Sequence, residues 1–122
     1  MDIQIIDADF SICKVEDYSK VNIDDEYCFI AKTDEENSLV CQTKAIPENA
    51  TDCDHGWKAF RIQGVLDFSL IGILSKISGL LAENEIGIFA VSTYNTDYIF
   101  VKEENFDRTL NVLSEAGYNI LK

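Results

Sequence analysis

Two short polar clusters carry the binding chemistry of this chain. One is Leu66-Asp67-Phe68-Ser69-Leu70, with Gly72 two residues on. The other is Ser92-Thr93-Tyr94-Asn95-Thr96-Asp97. Both lie at the ends of apolar elements. Ser69 is placed to cap a helix, whose first turn offers unbonded amides and the positive end of its dipole to an anion such as a carboxylate. Gly72, with no side chain, would let a ligand approach the backbone. The Thr93 hydroxyl, the Asn95 amide and the Asp97 carboxylate suit a cation or a polar group. The same residue types have plain structural uses. Asp67 and Ser69 serve as caps, Thr93, Asn95 and Asp97 serve hairpin turns, and Tyr94 and Tyr98 serve as core or as ring walls of a pocket. Binding and turn chemistry both stand at this point.

Catalysis finds less support. There is one histidine, and neither a nucleophile–base motif nor a phosphate-binding loop appears. No catalytic residue is expected, and the protein is read as not an enzyme. Cys53-Asp54-His55 has one thiol and one imidazole, two ligands short of a closed zinc site, so no metal or other cofactor is expected. Cys13, Cys28, Cys41 and Cys53 are 15, 13 and 12 residues apart, without a Cys-x-x-Cys motif. Inside apolar strand patterns they are expected to be isolated, buried small hydrophobes.

The elements that position the polar clusters follow from periodicity. Phe10–Val15, Tyr27–Thr33, Ser38–Thr43 and Trp57–Gln63 read as strands. Asp34-Glu35-Glu36-Asn37 is a hairpin loop. Pro47 to Gly56 is a connector that starts with at most one helical turn. Leu70, Ile73, Leu74, Ile77, Leu80 and Leu81 recur at helical spacing, and predict a helix capped at Ser69 and ended by Asn84 or Gly87. Gly79 in its interior suggests close packing on a sheet, and Gly72 in its first turn suggests either packing or ligand approach. Ile88–Ser92 and Tyr98–Lys102 are strands. Phe106, Leu110 and Leu113 mark a second helix, ended by Gly117, with Glu104 and Arg108 one turn apart. Tyr118–Leu121 is a last strand, expected beside Trp57–Gln63.

From Trp57 the order is strand, helix, strand, strand, helix, strand. This predicts an α+β, ferredoxin-like βαββαβ domain, an antiparallel sheet with both helices on one face. A shift of 60 residues lays Phe29, Ala31 and Thr33 on Phe89, Val91 and Thr93, and Ser38-Leu39-Val40-Cys41 on Tyr98-Ile99-Phe100-Val101. The first half therefore reads as a reduced copy lacking a long first helix. The expected division is 1–56 and 57–122, with strand 57–63 assignable to either.

The charge is uneven. Residues 1–56 carry 14 acidic and 4 basic side chains, and residues 57–122 carry 8 and 6, for a total of −12. Such a chain repels nucleic acid and anionic membranes. No apolar run approaches the ~20 residues of a membrane span, and the N-terminus lacks the basic and apolar regions of a signal peptide, so a cytoplasmic location is expected.

The segments Leu66–Leu74 and Phe89–Tyr98, with the string STYNTDY after an apolar strand, resemble ACT-domain proteins. Specifically, the chain resembles small bacterial tandem-ACT proteins similar to CASTOR-type amino-acid sensors and to aspartate kinase regulatory domains. The resemblance implies an amino-acid-binding regulatory fold that assembles side by side, as a tandem pair or a homodimer. It also implies a ligand held between the loop of Leu66, Asp67, Phe68, Ser69, Leu70 and Gly72 and the edge region of Ser92, Thr93, Tyr94, Asn95 and Asp97. An amino acid's carboxylate would meet the helix terminus and its ammonium the hairpin tip. The acidic balance favours a cationic ligand such as arginine or lysine. Output would run through a protein partner or a change in assembly. The other expectation is an interaction or assembly module with no small-molecule ligand.

Overall fold

The computed structural model describes residues 1–63 and 72–122. Its first strand, β1 (Asp2–Val15), is 14 residues long, more than twice the stretch that alternation predicts. Asp2, Asp7 and Asp9 are poor strand formers, and they mask the pattern in the first half. Ile3 and Ile6 are nevertheless buried there. β2 (Cys28–Lys32) and β3 (Asn37–Gln42) form the expected hairpin, followed by a 3-10 turn at Thr43–Ala45. β4 (Ala50–Ile62) begins seven residues before the predicted strand. The turn-forming Asp52, Asp54 and Gly56 of the connector are drawn into it because β1 supplies a pairing partner. Then come α1 (Ile73–Glu83), β5 (Ile88–Ser92), β6 (Asp97–Lys102), α2 (Glu103–Glu115) and β7 (Asn119–Leu121). No helix among the described residues is long and apolar enough to cross a membrane.

The chain forms two compact units that are not consecutive segments. One is Met1–Asp7 with Lys58–Lys122, and the other is Ala8–Trp57. The inner boundary falls one residue from the expected division, and the first seven residues belong with the C-terminal unit.

In the C-terminal unit, β4, α1, β5, β6, α2 and β7 follow the ferredoxin-like order. Strand neighbours run β7, β1, β4, β6, β5. β7 therefore does not lie beside β4, as the sequence suggested. The first residues of β1 occupy that place, pairing in parallel with β7, Asp2 beside Asn119 and Gln4 beside Leu121. On the other side of β1, the Gln63 amide donates to Asp2 O at 2.9 Å. Ile77 and Leu81 of α1 and Leu113 of α2 join Ile3, Phe60, Ile62, Ile86, Ile99 and Val101 in one apolar cluster, so both helices cover the same face.

The two helices end in the same way. After α2, the Gly117 amide donates to Ser114 O and the Tyr118 amide to Leu113 O, with Gly117 at φ +97°. After α1, Glu85 donates to Ala82 O and Ile86 to Leu81 O, with Glu85 at φ +59°. These are Schellman caps. Glu85 therefore takes the left-handed position expected of Asn84 or Gly87. At its start α1 is capped by Gly72 at φ +84°, so Gly72 precedes the first turn. The expected Ser69 cap lies outside the described residues. A Cβ on Gly79 would meet nothing within 4 Å, so this glycine does not mark close packing on the sheet. Arg108 donates to Asn84 O and to Asn105 Oδ1.

The other unit contains no α-helix. β2 and β3 pair antiparallel, and β3 pairs antiparallel with β1. Cys13, Val15, Leu39 and Cys41 form its core, covered by Tyr18, Val21, Ile46 and Ala50 rather than by a helix. The Tyr18 hydroxyl holds the covering loop by donating to Ser38 O at 3.0 Å.

The 60-residue repeat extends beyond the hairpins. Cys28 pairs with Cys41 as Ile88 pairs with Val101, and Lys32 with Asn37 as Ser92 with Asp97. Gln42 and Lys102 share φ −63°, with ψ 140° and 143°, and each leads into a helical turn. In the first copy that turn stops at Ala45. Ile46 precedes Pro47, whose ring disfavours the helical region, and Ile46 is extended at φ −61°, ψ 125°.

Three outcomes follow for stability. Ile3→Ala should cost about 2–4 kcal/mol in urea unfolding, because Ile3 is fully buried. Gly79→Ala should raise stability by about 1 kcal/mol through helix propensity alone. Gly72→Ala should lower it by about 1 kcal/mol, because its backbone is left-handed.

Candidate functional site

The β5–β6 turn is built by its own side chains. The Thr93 amide donates to Thr96 O at 2.8 Å, and the Thr93 hydroxyl donates to the same oxygen at 2.9 Å. The Thr96 amide approaches Thr93 Oγ1 at 3.3 Å. The Ser92 hydroxyl donates to Asp97 Oδ1 across the last pair of the ladder. Thr96 is buried, and its hydroxyl donates to Ile62 O at 2.6 Å. That bond ties the hairpin tip to the last residue of β4.

A cavity of about 260 Å³ opens where these two ends meet. It is lined by Ile62 and by the polar side chains of Arg61, Gln63, Thr93, Asn95, Thr96 and Tyr98. Arg61 Nη1 donates to the Tyr98 hydroxyl at 3.1 Å, and its Nε to Gln63 Oε1 at 3.2 Å. The guanidinium carbon lies 5.9 Å from the centre of the Tyr98 ring, within cation–π range. A fork of five N–H donors is thus oriented by a ring and an amide, the geometry that suits a carboxylate.

Of the residues singled out from the sequence, Thr93 and Asn95 line this cavity. Ser92 and Asp97 bond each other. Tyr94 is 90% exposed, and is neither core nor a wall of this cavity. Gly72 caps α1. Leu66, Asp67, Phe68, Ser69 and Leu70 lie outside the described residues. Arg61, Gln63 and Thr96 were not picked out as site residues. Arg61 gave one signal, a cation in an apolar strand two residues before a polar turn.

Two other places bring polar or charged side chains together. The Ser11 hydroxyl lies 2.8 Å from His55 Nδ1, a serine–histidine pair that spacing did not reveal. Ser11 has no exposed surface, and its hydroxyl also meets Thr43 Oγ1 at 2.9 Å. It cannot reach a substrate unless its strand moves, and it reads as a satisfied buried polar group. A larger opening, about 520 Å³, is lined by Lys20, Asn22, Asp25, Lys44, Pro47 and Glu48, among others. Its charges are partly spent on each other and on neighbours. Lys20 pairs with Glu48 at 3.7 Å, and Asp25 accepts from Gln42 Nε2 at 3.2 Å.

Comparison with known proteins agrees with this architecture. The sequence pattern of the ACT domain matches residues 52–115. A crystal structure of an Agobacterium tumefaciens protein is 30% identical, with a TM-score of 0.84 over 98% of this chain and 91% of that one. A Vibrio cholerae protein of unknown function, described as a possible transport protein, is 20% identical, with a TM-score of 0.70 over 93% and 88% of the two chains. The ligand-free regulatory subunit of aspartate kinase from Thermus thermophilus shares the fold at 10% identity, with a TM-score of 0.67 over 96% and 97%. No curated protein matches the sequence. With its ferredoxin-like order of elements and a match over more than half its length, the chain belongs to the ACT-domain family.

Proposed function

We propose that this protein is a non-catalytic regulator that binds a free amino acid and responds through contacts between ACT units, within one chain or in a homodimer. The observation that carries the reading is the Arg61 guanidinium, held by Tyr98 and Gln63 at the edge of a small polar cavity. The cavity is smaller than the ~300–1,000 Å³ of sites for drug-sized ligands, and suits a compact polar molecule. Arg61 takes the carboxylate. The oxygens of Gln63, Asn95 and Thr93 take the ammonium. The amides that open α1 behind Gly72 add to the anion-binding side.

This arrangement revises the ligand class suggested by net charge. Exposed surface charges act through screened solvent, with a Debye length of about 8–10 Å. A guanidinium lining the cavity acts at contact distance, so a neutral or acidic side chain is favoured over arginine or lysine. Leu66, Asp67, Phe68, Ser69 and Leu70, which follow Gln63 after Gly64 and Val65 in the sequence, are proposed to add further ligand contacts. Asp97, bonded to Ser92, keeps the turn in shape. Among the described residues β5 and β2 stand at the ends of the strand order, and units are proposed to join side by side through them.

A thermal-shift screen against the twenty amino acids tests the proposal. A ligand at a hundred times its Kd adds about 2.7 kcal/mol, a rise of roughly 10 °C in Tm. The expected result is a rise with one or two neutral or acidic amino acids, abolished in Arg61→Met and reduced in Asp97→Ala. A second variant, Thr96→Val, should weaken binding and also lower the ligand-free Tm, since it leaves the Ile62 carbonyl unbonded. If none of the twenty moves Tm at millimolar concentration, the assembly-module reading replaces this one. The elution volume in size-exclusion chromatography, with and without ligand, then decides whether units associate.

A further inference from the structure

The four cysteines, scattered in sequence, come together in the Ala8–Trp57 unit. Cys28 and Cys41 are direct partners across β2 and β3. Ser11 is the partner of Cys41 across β3 and β1, so Cys13, two residues on, faces the same side of the sheet. Cys13 joins Cys41 in one buried apolar cluster and, on its other side, shares the lining of a cavity with Cys53. The result is a row of four sulfurs on β2, β3, β1 and β4, each beside the next. Its inner members, Cys41 and Cys13, are buried, while Cys28 is half-buried and Cys53 is exposed. The cavity that Cys13 and Cys53 share is about 480 Å³, so a small molecule that reaches one reaches the other.

The geometry suits pairwise sulfur–sulfur bonds. The Thr33 amide donates to Glu36 O and closes the β2–β3 hairpin. Bonded and non-bonded pairs alternate along an antiparallel ladder, and five steps on from that pair, Cys28 and Cys41 are non-bonded partners. Such partners have Cα atoms about 4.5 Å apart, inside the ~4.4–6.8 Å that a disulfide spans. A tetrahedral metal needs its ligands to converge on one point. This row instead steps about 4.8 Å per strand, and among the described residues no three ligating side chains converge.

We propose that this unit is a reversible thiol redox site, in which a hydroperoxide joins Cys13 to Cys53 and Cys28 to Cys41. Cys53 is where the oxidant arrives. Burial raises the Cys13 thiol far out of the neutral range and pushes Cys41 up to about 11, so both are protonated at pH 7 and act second. Glu36, Asp52 and Asp54 outnumber Lys14 in the lining of the shared cavity and disfavour anionic oxidants such as oxidised glutathione, while an uncharged peroxide enters.

The Cys53 thiolate attacks the terminal hydroperoxide oxygen, the O–O bond breaks, and the departing hydroxide (an alkoxide when the hydroperoxide is organic) takes a proton to become water or an alcohol. The Cys13 sulfur then attacks the Cys53 sulfenic acid. The S–O bond breaks, and the Cys13 proton leaves with that oxygen as water. Two electrons pass from two thiols to one peroxide. At the other open end burial and Asp25 raise the Cys28 thiol as well, and Cys28 meets the peroxide before Cys41 because it is the more exposed of the two. Pairing each inner thiol with an outer one leaves no sulfur stranded, which a Cys13–Cys41 bond would do.

The test treats the reduced full chain with hydrogen peroxide, blocks the remaining thiols and maps peptides by mass spectrometry. The expected product is a monomer that has lost all four thiols and roughly 2 Da per disulfide, with linked peptides pairing Cys13 with Cys53 and Cys28 with Cys41, and dithiothreitol restores it. Cys53→Ser should lose two thiols and keep only the Cys28–Cys41 link. Cys41→Ser should keep only the Cys13–Cys53 link, with circular dichroism confirming that both variants fold. Four surviving thiols, a different pairing, Cys53-linked dimers, or Cys53 carried to sulfinic acid beside a free Cys13 would each overturn the proposal.

Discussion

Much of this structure depends on the hydrogen-bonded place that the first residues of β1 take between β7 and β4. Without them β4 would lose a neighbour, β7 would have none, and Ile3 would leave the cluster that both helices cover. The ferredoxin-like order of elements from β4 to β7 is complete in itself, but its sheet is not. Because β4 is held on both sides, by β1 and by β6, its end at Ile62 is fixed. The candidate site hangs from that end, through Thr96 on the Ile62 carbonyl and through Arg61 and Gln63 on either side of it.

The hairpins, both helices and the ferredoxin-like order were legible in the sequence because each is a local pattern. Alternation between turn residues gives β2, β3, β5 and β6, and three- and four-residue spacing gives α1 and α2. What failed to show was non-local. The first half of β1 and the start of β4 are poor in strand formers and become strands because each meets a partner dozens of residues away. The insertion of β1 beside β7 rests on contacts between residues 117 positions apart, such as Asp2 and Asn119, and no window of sequence contains them. Glu85 in the left-handed position is a further case. The Schellman geometry at the end of α1 is set by where Ile86 must be buried, and the intervening residue complies at a cost that glycine would avoid.

The site was half legible for the same reason. The tip residues Thr93 and Asn95 stand out as polar letters at a turn. Arg61 does not, because its meaning comes from Tyr98, 37 residues on, whose hydroxyl and ring orient the guanidinium. The cysteines make the same point more sharply. Read along the chain they are isolated, and read across four strands they are neighbours. The two hairpins, equal in length and register, show what the site needs beyond a turn. Thr33 caps its turn as Thr93 does, accepting the Glu35 amide at 3.1 Å and the Glu36 amide at 3.3 Å. Glu36 stands where the second copy has Thr96, and so the first copy lacks the hydroxyl that anchors the tip to a neighbouring strand.

The parallel pairing of β1 with β7 also sets an order of events during synthesis. Residues 2–4 are made well before their partners 119–121. At roughly 5–20 residues per second, that side of β1 waits several seconds or more without its ladder partner. An unpaired strand edge of this kind is a template for association with other chains. The early part of β1 carries Asp2, Asp7 and Asp9 among its isoleucines, the residues that hid the strand from pattern reading. Charges on an exposed edge are a known guard against such association. The acidic letters that weaken the strand on paper are suited to keeping the newborn chain apart from its siblings until β7 emerges.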